Sequence, residues 1–453
     1  MFDYDNNSTD SQLERFLTRY KKNGRAVEVD FRKLVSCLPS ADRATHLLHP
    51  YPAKLLMHIP FFFLANSILS QKGDTIADPF CGSGTVLLES QLAARVAIGA
   101  DSNPLARLLT SVKTTALSPD ILESATSRLL SRIPSQSRNP RPDVVNLEHW
   151  FYPHVTRQLQ CIHEAIELTR RKDVRDFFRV CFSNCLRKVS LADPRLSVPV
   201  RLKAGQYPNG HALREKTDAH LRRLRRINVR TVFEEVLATS RRRIASLDLL
   251  SHELPPARLI SSDARHLDII STSTEKQQKG SIQLVITSPP YPGAQKYIRS
   301  SSLSLGWLGL CTTDDLIKYK HQTIGREEFR LDQYTALQET GIPTADRILR
   351  QIWNVNPVRS AIASTYLAEM RQSIQEIWRQ MQVGGYFVLV AANNQIAGRE
   401  FPTQQYLRVI AEETGFRTVL RLIDNIRSRG LMTKRNKTAS VITREWVLLF
   451  AKE

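Results

Sequence analysis

The chain has 453 residues, 42% of them hydrophobic and 24% charged, which suits a globular protein of two or three domains or one large domain with insertions. No apolar run approaches the ~20 residues that span a bilayer, and six scattered cysteines without a CxxC pair speak against a disulfide framework or a zinc site. Lys and Arg outnumber Asp and Glu by 64 to 44, a net charge of +20 whose usual partner is an acidic polymer such as nucleic acid.

The first stretch, MFDYDNNSTDSQ, is acidic and polar, unlike a secretory or transit peptide, so a reducing cytoplasm is the expected setting. Residues 1–45 read as an N-terminal extension. From 46 to 116 a helix-like segment, HPYPAKLLMHIPFFFLANSIL, precedes a strand (DTIADPF), a glycine turn, a helix (TVLLESQLAA) and a second strand (RVAIGAD). Residues 117–256 are polar and mainly helical, an insertion in which 201–243 carries twelve Lys/Arg against four Asp/Glu. That density suits a phosphate-contacting surface, because basic side chains release condensed counterions when they neutralise phosphates. Within it, LADPRLSVPVRLK reads as a structured loop, either scaffold or nucleic-acid contact.

Strand and helix patterns resume at 257. ARLISSD and IQLVITS are followed by a second insertion, 298–362, which has no clear period. The helix TYLAEMRQSIQEIWRQM, the strand YFVLVAA, the helix TQQYLRVIAEETG and the strands RTVLRLIDN and REWVLLFAKE complete the chain. Between the last two strands, SRGLMTKRNK is a basic loop suited to touching substrate. Strands interleaved with helices indicate an α/β fold, a mostly parallel twisted sheet with helices on both faces.

Two turns in this pattern carry chemistry. DPFCGSGT (Asp78–Thr85) joins a strand to a helix; Gly82 and Gly84 permit a left-handed backbone and close approach of a ligand, while the helix N-terminus favours negative charge. The next strand ends in Asp101, placed to hydrogen-bond both hydroxyls of a ribose, and the one after it in Asp263, where an adenine amine could be received. Neither GxGxxG nor GxxxxGK[ST] is present, which disfavours a dinucleotide or a triphosphate. The second turn is SPPY (Ser288–Tyr291), where two prolines stop the strand and hold Ser288 and Tyr291 at its C-terminal edge.

DPFCGSGT resembles the S-adenosylmethionine-binding motif of the DNA amino-methyltransferases, TSPPY resembles their catalytic motif, and HPYPAK (His49–Lys54) is similar to the segment that covers the methionine end of the cofactor. The resemblance spans roughly 46–116 and 257–453, and implies a Rossmann-like class I methyltransferase catalytic domain in two pieces. It implies S-adenosyl-L-methionine held by Tyr51, Asp78, Phe80, Cys81, Gly82, Gly84, Thr85, Asp101 and Asp263, and catalysis at Ser288, Pro289, Pro290 and Tyr291, without a metal. Tyr291 would stack on the target base. The Ser form of the motif is typical of enzymes acting on cytosine N4, so the resemblance implies double-stranded DNA as partner and membership of a restriction system with a cognate endonuclease. The glycine turn precedes SPPY here, whereas many Ser-type members run in the other order. The rival readings are adenine-N6 or RNA guanosine-N2 methylation, and a non-catalytic nucleic-acid-binding protein on the same fold. Either insertion, 117–256 or 298–362, could read the bases.

Overall fold

A computed structural model describes residues 7–38, 43–249, 254–267, 281–293, 297–426 and 443–453. The basic loop SRGLMTKRNK lies outside them. The strands are β1 (Val27–Val29), β2 (Thr75–Asp78), β3 (Val96–Ala100), β4 (Ala257–Ser261), β5 (Ile282–Thr287), β6 (Met381–Ala391), β7 (Asn394–Ile396), β8 (Arg399–Phe401), β9 (Phe416–Asn425) and β10 (Arg444–Lys452). Among the described residues, eight of them form one sheet in the order β1-β9-β10-β6-β5-β2-β3-β4, and β7 and β8 make a separate hairpin. Within the sheet, β10 runs antiparallel to both its neighbours and the other pairs are parallel.

The central strands are continuous apolar runs because the sheet is covered on both faces. Alternate residues divide cleanly between two cores. Ala77, Val285, Phe387, Leu389, Leu448 and Phe450 meet the helices Pro343–Trp353, Pro357–Gln380 and Thr403–Thr414. Ile76, Leu284, Ile286, Val388, Val390 and Leu449 face the other way, onto Leu13 of helix Asn7–Asn23, Phe61–Phe63 and Val86. The α/β reading, with a largely parallel sheet between two helical layers, is therefore the fold observed.

Two segments differ from the sequence reading. Only His58–Leu64 of the helix expected from His49 onward is helical, and all seven of its residues are buried rather than one face. Pro50 and Pro52 explain the difference, since each lacks an N–H and restricts the residue before it. The N-terminal extension is also built into the sheet, with β1 adding a parallel strand beside β9 and Thr9 donating to the carbonyl of Ala65 at 3.0 Å. A three-residue edge strand is too short to leave a periodic signal.

The region 117–256 is helical as expected, but its core is shared. Phe177, Phe178, Phe182 and Phe233 pack with Leu105 and Leu109 of helix Pro104–Lys113 and with Ile298, Leu305 and Trp307 of helix Tyr297–Trp307. Those two helices follow the ends of β3 and β5, so the insertion buttresses the side of the sheet where those strands end. Among the described residues, no helix is long and apolar enough to cross a membrane.

Candidate active site

The direction of chain progression reverses between β2 and β5: from β2 the chain moves outward to β3, and from β5 outward the other way to β6. Loops leaving the C-terminal ends of these two neighbours must diverge, which opens a crevice between them. Asp78 ends β2 and Thr287 ends β5, and the Thr287 hydroxyl donates to Asp78 Oδ1 at 2.6 Å. This bond joins the glycine turn to the proline corner across 209 residues of sequence.

A cavity of about 320 Å³ occupies the crevice. Asp78, Phe80, Cys81, Gly82 and Thr85 line it from the glycine turn. Tyr51, Asp101, Asp263, Ser288 and Pro290 complete the sequence-read residues that reach it, and Ser288 is partly exposed there. Gly84 and Pro289 act from behind. Gly84 caps helix Thr85–Leu92 with φ 73°, and a Cβ there would lie 2.9 Å from the Thr110 side chain and 3.1 Å from its Cα. Pro289 is buried.

The turn is held by the next strand. The Gly82 N–H donates to Asp101 Oδ2 at 2.9 Å, and Asp101 Oδ1 accepts from the Asn103 N–H at 2.8 Å. Asn103 Nδ2 donates to Tyr51 Oη at 3.1 Å and Ser301 Oγ at 3.0 Å, which ties the HPYPAK segment to the end of β3 and to the helix after the proline corner. Behind that segment, Glu89 accepts from Arg43 at 2.9 Å and pairs with His46 at 2.5 Å. Lys54 reaches the cavity while donating to the His46 carbonyl at 2.7 Å, and burial lowers its ammonium to about 8.

Electrostatically the crevice is a desolvated acidic site. Burial raises Asp78 to about 7, against the opposing hydrogen bonds from Thr287 and the Phe80 N–H. Burial also raises Asp101, opposed by the N–H groups of Asn103 and Gly82. The buried Cys81 thiol lies well above its ordinary value, so it serves as packing and not as a nucleophile. Asp263 differs: burial would raise it, yet the Arg265 guanidinium and N–H bring it below the ordinary carboxylate value.

Tyr291 requires a correction. The expectation was an aromatic face open to a base, whereas its ring is 7% exposed, packs with Ala392 and does not line the cavity. Its hydroxyl donates to Glu445 Oε1 at 3.1 Å. The corner turns this side chain away from the crevice and toward β10, so Tyr291 anchors the loop. Phe80, Tyr297 and Tyr319 are rings that do line the cavity.

The chain has similar proteins of known kind. Residues 65–108, which contain the glycine turn, match the sequence model of a family described as DNA methylase. Type II methyltransferase M.MvaI of Kocuria varians is 23% identical over 380 residues, covering 79% of each chain. Type II methyltransferase M.BsoBI of Geobacillus stearothermophilus is 24% identical over 443 residues, covering 86% of this chain and 82% of its own. The chain is thus similar to DNA methyltransferases, through the glycine-turn segment and through two type II methyltransferases over most of its length. Among solved structures, the rRNA methyltransferase AviRa of Streptomyces viridochromogenes is 13% identical with a TM-score of 0.31, over 93% of this chain and 96% of that one. A candidate DNA modification methylase of Thermus thermophilus, solved with S-adenosyl-L-methionine, is 17% identical with a TM-score of 0.21. It is matched over 42% of this chain and 51% of its own, so the chain spans about half its length. With both scores below 0.5, the fold assignment stands on the sheet order itself.

Sequence reading of this amino-methyltransferase relative missed Thr287, Asn103 and Glu445. Asn103 before Pro104 is a legible helix cap, and its side chain does accept from the Leu105 N–H at 3.0 Å. Its second role, holding Tyr51, is visible only in three dimensions.

Two outcomes follow from the packing and the charge. Gly84→Ala should cost about 2–4 kcal/mol, combining left-handed strain with overpacking against Thr110. Gly309→Ala, with φ 59° and nothing within 4 Å of a new Cβ, should cost only about 1–2 kcal/mol by denaturant unfolding. Asp78 has a folded pKa raised from 3.8 to about 7, so the native state holds its proton more tightly than the unfolded chain. Its stabilising contribution is complete below pH 3.8 and lost as pH rises through about 7. Asp78→Asn keeps the Oδ1 acceptor and should match wild type near pH 4 but exceed it in stability above pH 7, as read from unfolding curves across that range.

Proposed function

We propose that the protein is an S-adenosyl-L-methionine-dependent, site-specific DNA methyltransferase that transfers a methyl group to the N4 amine of a cytosine swung out of the duplex. The observation that carries this reading is the cavity shared by Asp101, Gly82 and Ser288, closed at its floor by the Thr287–Asp78 bond. Its size falls within the range of small-molecule sites. The residues suit the cofactor: Asp101 and Asp263 offer carboxylate acceptors to ribose hydroxyls and an adenine amine, Gly82 leaves the backbone open, and the carboxylates favour a cationic ligand. Bound there, the cofactor supplies an electrophilic methyl carbon on a sulfonium.

The chain's own contribution is positioning. The cytosine amine is a weak nucleophile because its lone pair is delocalised into the ring. The Ser288 hydroxyl, which reaches the cavity, would accept one of its N–H bonds, and the backbone carbonyl of Pro289 just behind the lining would accept the other, which encourages a tetrahedral nitrogen with its lone pair free to react. With the cofactor supplying the methyl group, Ser288 and its corner would hold the amine while it is methylated, and the proton the amine then gives up would pass to water. Holding reactants in line is worth ~7–11 kcal/mol. Two hydrogen bonds fix the corner in place. The Asn394 side chain donates to the Pro292 carbonyl at 3.3 Å, and the Gly293 N–H donates to the Gly325 carbonyl at 3.2 Å. Extracting the base costs a few kcal/mol, and stacking on Phe80, Tyr297 or Tyr319 returns ~1–3 kcal/mol.

The basic helices 212–224 and 229–248 and the turn between them offer Arg222, Arg225, Arg226 and Arg242 as exposed phosphate contacts. Arg243 donates to the Leu47 carbonyl at 2.6 Å, which brings this surface beside the HPYPAK wall of the cavity. Base reading is assigned to the second insertion, since Tyr319 and Gln322 stand on the cavity rim. Ser288 in the Ser form of the motif supports cytosine over adenine. The proposed setting is a restriction system in the cytoplasm with a separate endonuclease as functional partner; two similar proteins are named type II methyltransferases.

Radiolabelled methyl transfer to duplex DNA and to tRNA, followed by nucleoside analysis, should yield N4-methylcytosine from DNA alone. N6-methyladenine, or a methylated guanosine from RNA, would overturn the target assignment, and no transfer combined with no cofactor binding would favour a non-catalytic protein. Ser288→Ala should lower kcat about ten- to a hundredfold with little change in cofactor Kd. Asp101→Asn should raise cofactor Kd by about tenfold or more and leave DNA affinity unaltered, measured by calorimetry and by fluorescence anisotropy.

A further inference from the structure

Asp263 does not stand alone at its strand end. Arg265 grips it with a fork, Nε to Oδ1 at 2.9 Å and Nη2 to Oδ2 at 2.8 Å, while the Arg265 N–H donates to Oδ1 at 2.9 Å. The same guanidinium turns Nη1 toward Glu369 Oε1, 3.1 Å away in the middle of helix Pro357–Gln380. That oxygen accepts a second charge-assisted bond, from Arg326 Nη2 at 2.7 Å. Arg326 belongs to the second insertion, so one buried carboxylate receives guanidinium groups from the cofactor side and from the insertion.

Both arginines also cap the helix that walls the cavity. Arg326 Nη1 donates to the His321 carbonyl at 2.7 Å, and Arg265 Nη2 to that of Gln322 at 3.4 Å, satisfying the C-terminal end of helix Thr313–Gln322. Tyr319, Gln322, Thr323 and Ile324 then form the wall. The next residue, Gly325, has φ 76° and lies against the proline corner so closely that a Cβ would come 2.9 Å from the Tyr291 carbonyl oxygen. Its own carbonyl accepts from Gly293. A continuous path thus runs from the Asp263 carboxylate through Arg265, Glu369 and Arg326 to the loop that carries Ser288.

We infer that Glu369 is a positioning residue that locks the cofactor-side acid Asp263 and the Ser288 corner into one register through Arg265 and Arg326. Neutralising Glu369 leaves two guanidinium groups converging without their shared anion, which separates the insertion from the β4 turn. Glu369 itself touches neither the cavity nor the reacting atoms. A small displacement of the corner is costly, because an error of 1 Å in a reacting group lowers the rate by about a hundredfold. This inference rests on the methyltransferase reading for its kinetic consequence, while the mechanical link holds independently of it.

The test uses the full-length chain and Glu369→Gln, with Arg326→Lys as a second variant that keeps the charge and loses the planar fork. Amide hydrogen exchange, read by mass spectrometry, is expected to rise at least about threefold in both variants at 262–267 and 288–293 together, and to stay unchanged in β9 and β10. Kinetically, both variants should lose about tenfold in kcat at saturating cofactor and DNA, with the KM for DNA within about twofold of wild type. Gly325→Ala should raise cofactor Kd in the wild-type background but not in Glu369→Gln, the mark of a coupling that runs through Glu369. Exchange that rises only around residue 369, or a kcat within about twofold of wild type in a variant whose exchange elsewhere is native, overturns the inference. Should Glu369→Gln not fold, Arg326→Lys decides by the same measures. Failure of wild type to transfer methyl groups would sink the methyltransferase reading alone, since the exchange measurement needs neither cofactor nor DNA.

Discussion

The hydrogen bond from Thr287 to Asp78 marks the constraint on which the rest of the site depends: β5 must lie directly beside β2. Between those strands the parallel part of the sheet changes its direction of growth, and there the following loops part to leave a crevice. The bond is short and both partners are buried, so it resists competition from water. It also places a carboxylate with a raised pKa at the base of the cavity, which makes the floor responsive to pH near neutrality.

Around this junction the protein uses its insertions as structural walls. The helical insertion shares its core with the helices that follow β3 and β5, so its basic outer surface has a fixed relation to the cavity and is not tethered by a linker. The second insertion contributes Tyr319 to Ile324 and rests Gly325 on the proline corner. Polar contacts complete the enclosure: Asn103 holds Tyr51, Glu89 holds Arg43 and His46, and Glu445 holds Tyr291. Each joins a cavity-lining or cavity-adjacent segment to an element far away in sequence, and this restricts the loops whose freedom would otherwise blur the geometry.

Local features of the chain made much of this legible. Apolar stretches such as IQLVI and YFVLVAA marked the central strands, and DPFCGSGT and SPPY announced their turns through residues whose backbone preferences are intrinsic. Short or compensated features escaped. The three-residue β1 leaves no periodic pattern, and the uniformly buried HIPFFFL was read as part of a longer amphipathic helix that Pro50 and Pro52 forbid. Tyr291 was read by its chemistry as a stacking ring, yet its orientation depends on a carboxylate 154 residues later in the chain.

The sequence by itself determined the strand and helix pattern, the two special turns and the acids at successive strand ends, because glycine freedom, proline restriction and side-chain period act over a few residues. Tertiary structure alone decided that Asp78 meets Thr287, that Asp263 is already paired with Arg265, and that Tyr291 faces Glu445. Those pairings depend on which strands become neighbours and on where desolvated charges find partners. Both are properties of the assembled sheet, in which burial and distance are set by residues hundreds of positions apart.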